Sequence, residues 1–282
     1  MTPSAARSLG GSPIDVREEI LKGVSASRVT AAITADEGGV VSGVALARAE
    51  AGRLGLVLEA MAGEGAVVRA GEEVARLSGS PRQVLMAEDS LIGLLAKPSG
   101  IATRARAFVD GAGGRPRIVS GGWKKLPGSL KEMVRTAVVA GGASPRIVPG
   151  PFAYLDKNYL ELLGGISAAL AAVAHLPDLS RVIQVKGRHA PVAQEAVEAA
   201  EQGADVVFVD TGRPADASAA SAALVRRGLR ARVELAFGGG VRLDGLEALR
   251  DLDIDILDVG RQIVDAPLLD MRLDVIVDGR QG

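Results

Sequence analysis

Basic side chains and glycines stand directly after short runs of β-branched residues in this 282-residue chain. The groups are Ser120 to Lys125, Lys186-Gly187-Arg188, Asp210-Thr211-Gly212, Gly238-Gly239-Gly240 and Gly260-Arg261. Ammonium, guanidinium and free backbone N–H groups all stabilise phosphate oxygens, and glycine lets the backbone approach those oxygens without an intervening Cβ atom. These residue types predict a site for an anionic ligand, with phosphate as the first candidate.

The runs that precede these groups are predicted strands: Ile118-Val119, Val182 to Val185, Val206 to Val209, Val233 to Phe237 and Ile256 to Val259. Helical segments are predicted at Leu130 to Ala140, Pro191 to Gln202, Ala215 to Arg227 and Leu243 to Leu249. Strands that are apolar on both faces and alternate with helices predict a parallel sheet, and the spacing of about 25 residues from the second run onward favours a closed α/β barrel. In such barrels the active site lies at the carboxyl ends of the strands.

The first third of the chain has a different pattern. Short strands are predicted at Ala31 to Thr34, Val40 to Val44, Gly55 to Leu58 and Val74 to Leu77, and helices at Arg17 to Leu21 and Pro81 to Leu95. We therefore expect an α+β domain over residues 14–97 and the barrel over 98–266. Residues 1–13, rich in Ser, Gly and Ala, are expected to form a mobile tail.

Composition excludes several classes of function. The chain has no Cys and two His, so disulfides, thiolate metal sites, a cysteine nucleophile and a His-rich metal centre are ruled out. Lys and Arg number 33 against 34 Asp and Glu, which gives no general attraction to nucleic acid. The longest apolar run, Gly164 to Ala174, is shorter than the ~20 residues of a membrane span. No secretory signal is evident, so we expect a cytoplasmic protein.

Each candidate residue also has a plain structural interpretation. Gly238-Gly239-Gly240 could form an ordinary turn, and Lys124-Lys125 a solvated loop. Trp123, the only tryptophan, could stack on a flat substrate or fill space between loop and barrel. Asp210 ends a buried strand, where an acid is expected to orient a cation or a hydroxyl group.

The order of several segments resembles the quinolinate phosphoribosyltransferase family. The segments that carry the resemblance are Gly38 to Gly43, Ser99 to Thr103, Lys124 to Gly128, Gly141-Gly142 with Arg146, Asp156 to Tyr159, Asp210, and Phe237 to Gly240. The resemblance implies an amino-terminal α+β sandwich, joined by residues 267–282, beside a TIM-like barrel of the type II phosphoribosyltransferase fold. It also implies a homodimer, or a larger assembly, in which the partner's amino-terminal domain covers each barrel mouth.

The activity implied by the resemblance is transfer of a phosphoribosyl group from phosphoribosyl pyrophosphate, with Mg2+, to the ring nitrogen of pyridine-2,3-dicarboxylate (quinolinate). The products are nicotinate mononucleotide, pyrophosphate and CO2. Carried onto this sequence, the resemblance assigns catalysis to Lys124, Gln184 and Asp210, with Asp210 as the metal ligand. It assigns phosphate and substrate binding to Asp89, Trp123, Lys125, Arg146, Lys157, Lys186, Phe237, Gly238, Gly239, Gly240, Gly260 and Arg261.

The sequence departs from the family at several of these positions. Asp89, Trp123, Pro145 and Asp156 replace basic residues of the family, and Gln184 and Lys186 replace acids. Because guanidinium forks are effective holders of carboxylates, the altered pocket favours an aromatic carboxylate acceptor that need not be quinolinate. Two alternatives remain open: a non-catalytic nucleotide-binding protein, and the standard reaction with cations supplied by Lys125, Lys157 or Arg261.

Overall fold

The computed structural model describes residues 16–276, so the tail expected over residues 1–13 lies outside the described residues. The strands are β1 (Val29–Ala35), β2 (Gly39–Val40), β3 (Val57–Met61), β4 (Val67–Val68), β5 (Glu73–Gly79), β6 (Arg117–Val119), β7 (Phe152–Leu155), β8 (Ser180–Val185), β9 (Val206–Asp210), β10 (Glu234–Gly238), β11 (Ile256–Asp258) and β12 (Met271–Ile276). The helices are α1 (Val16–Ile20), α2 (Val44–Leu54), α3 (Pro81–Ala112), α4 (Gly128–Ala140), α5 (Lys157–Leu163), α6 (Ile166–Val173), α7 (Val192–Glu201), α8 (Pro214–Arg226) and α9 (Arg261–Val264).

The first sheet is antiparallel, in the order β12-β1-β5-β3, with β2 and β4 forming a separate pair. Its central strand β1 places Ile33 opposite Leu273 of β12 and Ala75 of β5. The strand predicted from Val40 to Val44 is shorter than expected. Gly43 adopts φ of 89°, a left-handed conformation that ends the extended segment, and α2 begins at the next residue.

Helix α3 links the two sheets. It begins with a capping box in which Gln83 N donates to Ser80 Oγ and Ser80 N donates to Gln83 Oε1 at 2.8 Å. The helix was expected to end at Leu95 but continues through Pro98 to Ala112. Ser99 to Ala102 are buried, so tertiary packing on both sides outweighs the local preference of proline to end a helix.

The second sheet has six parallel strands in the order β6-β11-β10-β9-β8-β7. Alternate residues of these strands meet in one buried cluster: Val119, Val182, Val206, Phe208, Ala236 and Ile256, with Phe152 and Tyr154 packed against it. Both edge strands contribute to this cluster, so the sheet curls around it. Ser144 forms a parallel bridge with Val119. Ile147 and Val148, in the segment that follows Ser144, belong to the same buried cluster. The barrel prediction is confirmed.

The other face of the curled sheet packs against the helices. The helix predicted from Leu243 to Leu249 is wrong, since the segment forms two 3-10 turns, Leu243–Gly245 and Glu247–Leu249. Glycine within so short a segment disfavours a continuous α-helix. Between residues 16 and 276, no helix is both long and apolar enough to cross a membrane.

Candidate active site

Four neighbouring strands present one inward-facing row of residues at the barrel mouth. Val185 of β8 pairs with Val209 of β9, so Lys186 and Asp210 follow as neighbours. On β10, Gly238 pairs with both Asp210 and Asp258. These residues share the alternation of the inner cluster, which explains why side chains so distant in sequence lie at one rim.

Asp210 is held by two side chains of the preceding strand. Gln184 Nε2 donates to Asp210 Oδ2 at 2.6 Å, and Lys186 Nζ lies 2.7 Å from the same oxygen. The other end of the Gln184 amide, Oε1, accepts from the backbone N–H of Lys157 at 3.1 Å. The structure thus brings together Gln184, Lys186 and Asp210, while the Lys157 side chain is exposed.

The residues present do not fit the magnesium site that was expected at Asp210. Mg2+ is usually held by one or two carboxylates together with substrate phosphates and waters. Here an ammonium group and an amide N–H already occupy Oδ2 of the single carboxylate, and a metal ion at Oδ1 would lie close to that ammonium group of like charge. Within the described part of the chain, no group of three or more His, Cys, Asp or Glu could hold a metal ion.

A cavity of about 200 Å³ opens beside this row. It is lined by Val119, Gly121, Trp123, Lys124, Arg135, Pro145, Arg146, Ile147, Phe152, Tyr154, Phe208 and Asp258. The whole chain has one Trp, two Tyr and four Phe, and the Trp, one Tyr and two Phe meet here. We refer to this space as the mouth cavity. Its walls suit a flat, aromatic ligand.

Trp123 forms one wall and is fixed at both its edge and its face. Its indole Nε1 donates to the carbonyl oxygen of Pro145 at 2.8 Å. The guanidinium carbon of Arg135 lies 4.9 Å from the centre of the ring, and Arg135 also pairs with Glu132 of the same helix. Trp123 also packs against the main core, so it both lines the cavity and fills space.

Lys124 and Arg146 supply positive charge to the mouth cavity. Lys124 Nζ lies 4.5 Å from the centre of the Tyr154 ring, and the Arg146 guanidinium lies 5.1 Å from that of Phe152. Arg146 also donates to the Gly150 carbonyl at 2.9 Å. Neither cation is within ion-pair distance of a carboxylate among residues 16–276, so both remain available to an anionic ligand.

Of the lining residues that sequence reasoning missed, Arg135, Tyr154 and Asp258 carry ionisable groups. Burial raises the pKa of the Asp258 carboxyl, although the Gly121 N–H, which donates to its Oδ1 at 3.1 Å, opposes the shift. Burial also raises the pKa of Tyr154, and the nearby negative charge of Asp210 adds to the effect. Asp258 ends a buried strand just as Asp210 does, which is the signal that could have identified it.

The glycines after β10 form a tight turn against the loop after β9. Gly212 N donates to the Gly238 carbonyl at 2.9 Å. Gly239 has φ of +105°, and a Cβ atom there would lie 2.6 Å from Gly212 N. Only glycine fits this position. Gly240 also has positive φ, with open space where a Cβ would lie.

Other predicted residues lie outside the mouth cavity. The assignment of Phe237 to substrate binding needs correction, because its side chain is 2% exposed and packs in the helix-facing core. Lys125, Lys157 and Arg261 are exposed and are not among the residues that line the mouth cavity. Gly260 directly precedes α9. Asp89 lies on α3, where it pairs with Arg17.

The curled parallel sheet, with a basic and glycine-rich mouth beside an antiparallel α+β layer, defines an α/β barrel of the type II phosphoribosyltransferase architecture. Comparison with protein families agrees. Residues 15–99 match the model for the quinolinate phosphoribosyl transferase N-terminal domain, and residues 101–274 match that for its C-terminal domain. The chain belongs to the quinolinate phosphoribosyltransferase family and is an enzyme of the phosphoribosyltransferase class.

Individual relatives span most of the chain. A probable carboxylating nicotinate-nucleotide pyrophosphorylase of Methanothermobacter thermautotrophicus is 29% identical, with 88% of this chain and 89% of the relative covered. The carboxylating nicotinate-nucleotide pyrophosphorylase of Homo sapiens is 31% identical over 71% of this chain and 66% of its own. Among solved structures, the nicotinate-nucleotide pyrophosphorylase from Francisella tularensis superposes with a TM-score of 0.77 at 21% identity, covering 93% of this chain and 94% of the other.

Proposed function

We propose that this enzyme transfers the phosphoribosyl group of phosphoribosyl pyrophosphate to an aromatic carboxylate bound in the mouth cavity. The acceptor is a pyridine or a comparable ring, and it need not be quinolinate. One observation carries the proposal: the cavity combines four aromatic side chains with the unpaired cations Lys124 and Arg146. Aromatic walls hold a flat ring, and the cations hold its carboxylate.

The position of Asp258 favours an acceptor with a single carboxylate. The Asp258 carboxyl lines the same small cavity as the cations Lys124 and Arg146. A second carboxylate of the ligand would lie in the same cavity as Asp258 and would meet a like charge whenever Asp258 ionises. A neutral hydrogen-bonding substituent would instead find a partner in the carboxyl group.

The transfer itself requires positioning and charge stabilisation. The bond between C1′ of the ribose and the pyrophosphate oxygen breaks, and its electron pair leaves with pyrophosphate. A lone pair of the acceptor, on the ring nitrogen of a pyridine, forms the new bond to C1′. We assign Lys124 and Arg146 to the carboxylate of the acceptor, and the backbone around Gly238 to Gly240 to the phosphate oxygens.

A product assay tests the proposal. Purified protein is incubated with phosphoribosyl pyrophosphate and one aromatic acid at a time, both with Mg2+ and with chelator, while pyrophosphate and product mass are followed. The panel contains pyridine monocarboxylates, pyridine-2,3-dicarboxylate and benzene carboxylates. We expect a product that is heavier than the acid by one phosphoribosyl group and that forms from a monocarboxylate. No pyrophosphate release with any acid would contradict the proposal.

The second candidate is a non-catalytic protein that binds a nucleotide or phosphoribosyl compound. The replacement of the family's acids by Gln184 and Lys186 favours it, because both side chains are engaged with Asp210. Such a protein would bind nicotinate mononucleotide in calorimetry and release no pyrophosphate in the same assay. Any pyrophosphate release that Lys124→Ala abolishes would reject this candidate.

The proposal includes a homodimer in which the amino-terminal domain of one subunit covers the partner's mouth cavity. Asp89 lies on α3 beside the first sheet and is not part of the cavity lining of its own chain. Sedimentation velocity measures the assembly directly. Mixing Asp89→Arg protein with Lys124→Ala protein then tests whether the two sequence regions act across subunits, because only a shared site changes activity on mixing.

A further inference from the structure

Lys186 and Asp210 form a tightly held pair at the barrel mouth. Lys186 Nζ lies 2.7 Å from Asp210 Oδ2 and 2.6 Å from the Asp210 backbone oxygen. The two side chains are 29% and 24% exposed. Gln184, which is 9% exposed, donates to the same Oδ2 at 2.6 Å. An ammonium group therefore stands beside the carboxylate that ends β9.

We propose that the Lys186 ammonium is a built-in counter-ion for the phosphoribosyl substrate, and that this enzyme works without a divalent metal held by its own side chains. The inference rests on the proposed function, which it extends. A lysine has three N–H donors, and two of them point to oxygens of Asp210. The third is available to an oxygen of the substrate.

The surroundings of Asp210 explain why a metal ion does not replace Lys186. A cation bound to Oδ2 would have to displace both the ammonium and the Gln184 amide. A cation bound to the other carboxylate oxygen, Oδ1, would lie close to the Lys186 ammonium group of like charge. Gln184 cannot become a charged ligand, since it is an amide whose oxygen is already bonded to Lys157 N. The site is neutral as it stands, with one positive and one negative charge.

The neighbouring acid does not complete a metal site. Asp258 is separated from Asp210 by Gly238 on the intervening strand. Its Oδ1 accepts the Gly121 N–H, and burial disfavours its ionised form. The described residues thus place a fixed ammonium group, and no set of free carboxylates, where the substrate's phosphates are expected to lie.

Metal binding and substrate binding are measured separately. Mn2+ binding to the ligand-free protein is followed by electron paramagnetic resonance, and binding of phosphoribosyl pyrophosphate by calorimetry in EDTA and in Mg2+. We expect the wild type to bind no Mn2+ at micromolar concentrations. We also expect the affinities for phosphoribosyl pyrophosphate in EDTA and in Mg2+ to agree within about twofold. Lys186→Met should weaken binding in EDTA by about tenfold or more, as expected for one lost charge-assisted hydrogen bond. The Lys186→Arg variant should retain most of the wild-type affinity for phosphoribosyl pyrophosphate in EDTA.

The double variant Gln184→Glu/Lys186→Glu is the positive control, because it adds two carboxylates beside Asp210. We expect it to bind Mn2+ and to require a divalent metal for substrate binding. Micromolar Mn2+ binding by the wild type that Asp210→Asn abolishes would overturn the inference, as would loss of substrate binding in EDTA. Failure to find an acceptor would leave these binding results intact, whereas product formation together with micromolar Mn2+ binding that depends on Asp210 would support the proposed function and reject this inference.

Discussion

Asp210 and Asp258 lie on either side of the same glycine, Gly238, across three adjacent parallel strands. The two acids have opposite surroundings. Asp210 is paired with Lys186, whereas Asp258 has a backbone N–H as its hydrogen-bond donor. Burial favours the neutral form of the Asp258 carboxyl, whereas Asp210 lies beside a positive charge.

The pH dependence of stability should report on Asp258. Burial raises its pKa above the ordinary value of 3.8, so the native state holds a proton that the unfolded state has released. The protonated Asp258 carboxyl contributes its full stabilisation below about pH 4. As pH rises through the folded-state pKa, this stabilisation is lost, and the free energy of unfolding falls by up to about 1.4 kcal/mol per pH unit. Urea unfolding of wild type and Asp258→Asn between pH 4 and 8 measures the difference.

In that comparison the variant is expected to gain stability relative to the wild type as pH increases. Several other acids, including Asp253 and Asp255, have a lowered pKa and contribute the opposite trend in both proteins. Only the difference between the two curves isolates Asp258. A constant difference across the pH range would show that the carboxyl ionises in the folded protein as it does in water.

Arg146→Ala and Lys124→Ala should each weaken acceptor binding. A hydrogen bond to a charged group contributes about 1.5–3 kcal/mol, which corresponds to roughly 10- to 100-fold in affinity. The acceptor KM should rise accordingly in steady-state assays. Arg226→Ala, which removes an exposed arginine at the end of the outer helix α8, is the matched control and should leave the KM unchanged. Equal effects of all three substitutions would point to overall charge instead of contact.

Trp123 should report acceptor binding by fluorescence, because the only tryptophan of the chain lines the mouth cavity. A stacked aromatic acid is expected to change its emission, whereas inorganic pyrophosphate alone should change it much less. Trp123→Phe should keep the fold but lose the Nε1 hydrogen bond to Pro145, at a cost of about 1 kcal/mol. If calorimetry detects the acid and the emission stays constant, the acid binds elsewhere.

Gly239→Ala should damage the turn at the barrel mouth. A Cβ atom would lie 2.6 Å from Gly212 N, at a φ of +105° that alanine disfavours. Strain of this kind costs about 1–3 kcal/mol, so both the melting temperature and the affinity for phosphoribosyl pyrophosphate should fall. Gly245→Ala is the control, because open space surrounds the added methyl group and φ is ordinary. Similar losses in both variants would rule out a local effect.

The strands of the barrel were predictable because their signal is local. Val206 to Val209 are apolar on both faces, and the polar residue that follows marks the strand end. The length of helix α3 was underestimated, because the helix continues through Pro98. The packing that stabilises it beyond this proline comes from residues far away in sequence, such as Pro267. Side chains alternate between the two faces of a strand, so Phe237 packs in the helix-facing core while the next residue, Gly238, lies on the inner face of the barrel. The sequence motif alone does not distinguish these two positions.

The residue types that form the site were predictable from the sequence, whereas their arrangement in space was less so. Lys124, Trp123 and Arg146 do meet in one cavity. The pairing of Lys186 with Asp210, however, depends on the register between two strands that are about 25 residues apart, and sequence spacing does not determine register. Arg135 was missed because it is one of several charged residues on an amphipathic helix, and nothing local distinguishes it.

Helix α3 also determines how this molecule can be divided. At 1.5 Å per residue its 32 residues extend about 48 Å, and the two family models meet at residues 99 and 101, inside this helix. Gly100 there packs so closely on the Pro267 backbone that a Cβ atom would lie 1.8 Å from its oxygen. A chain cut at that point would leave two fragments with bare apolar helix faces, which would have to be produced together and reassemble in order to fold.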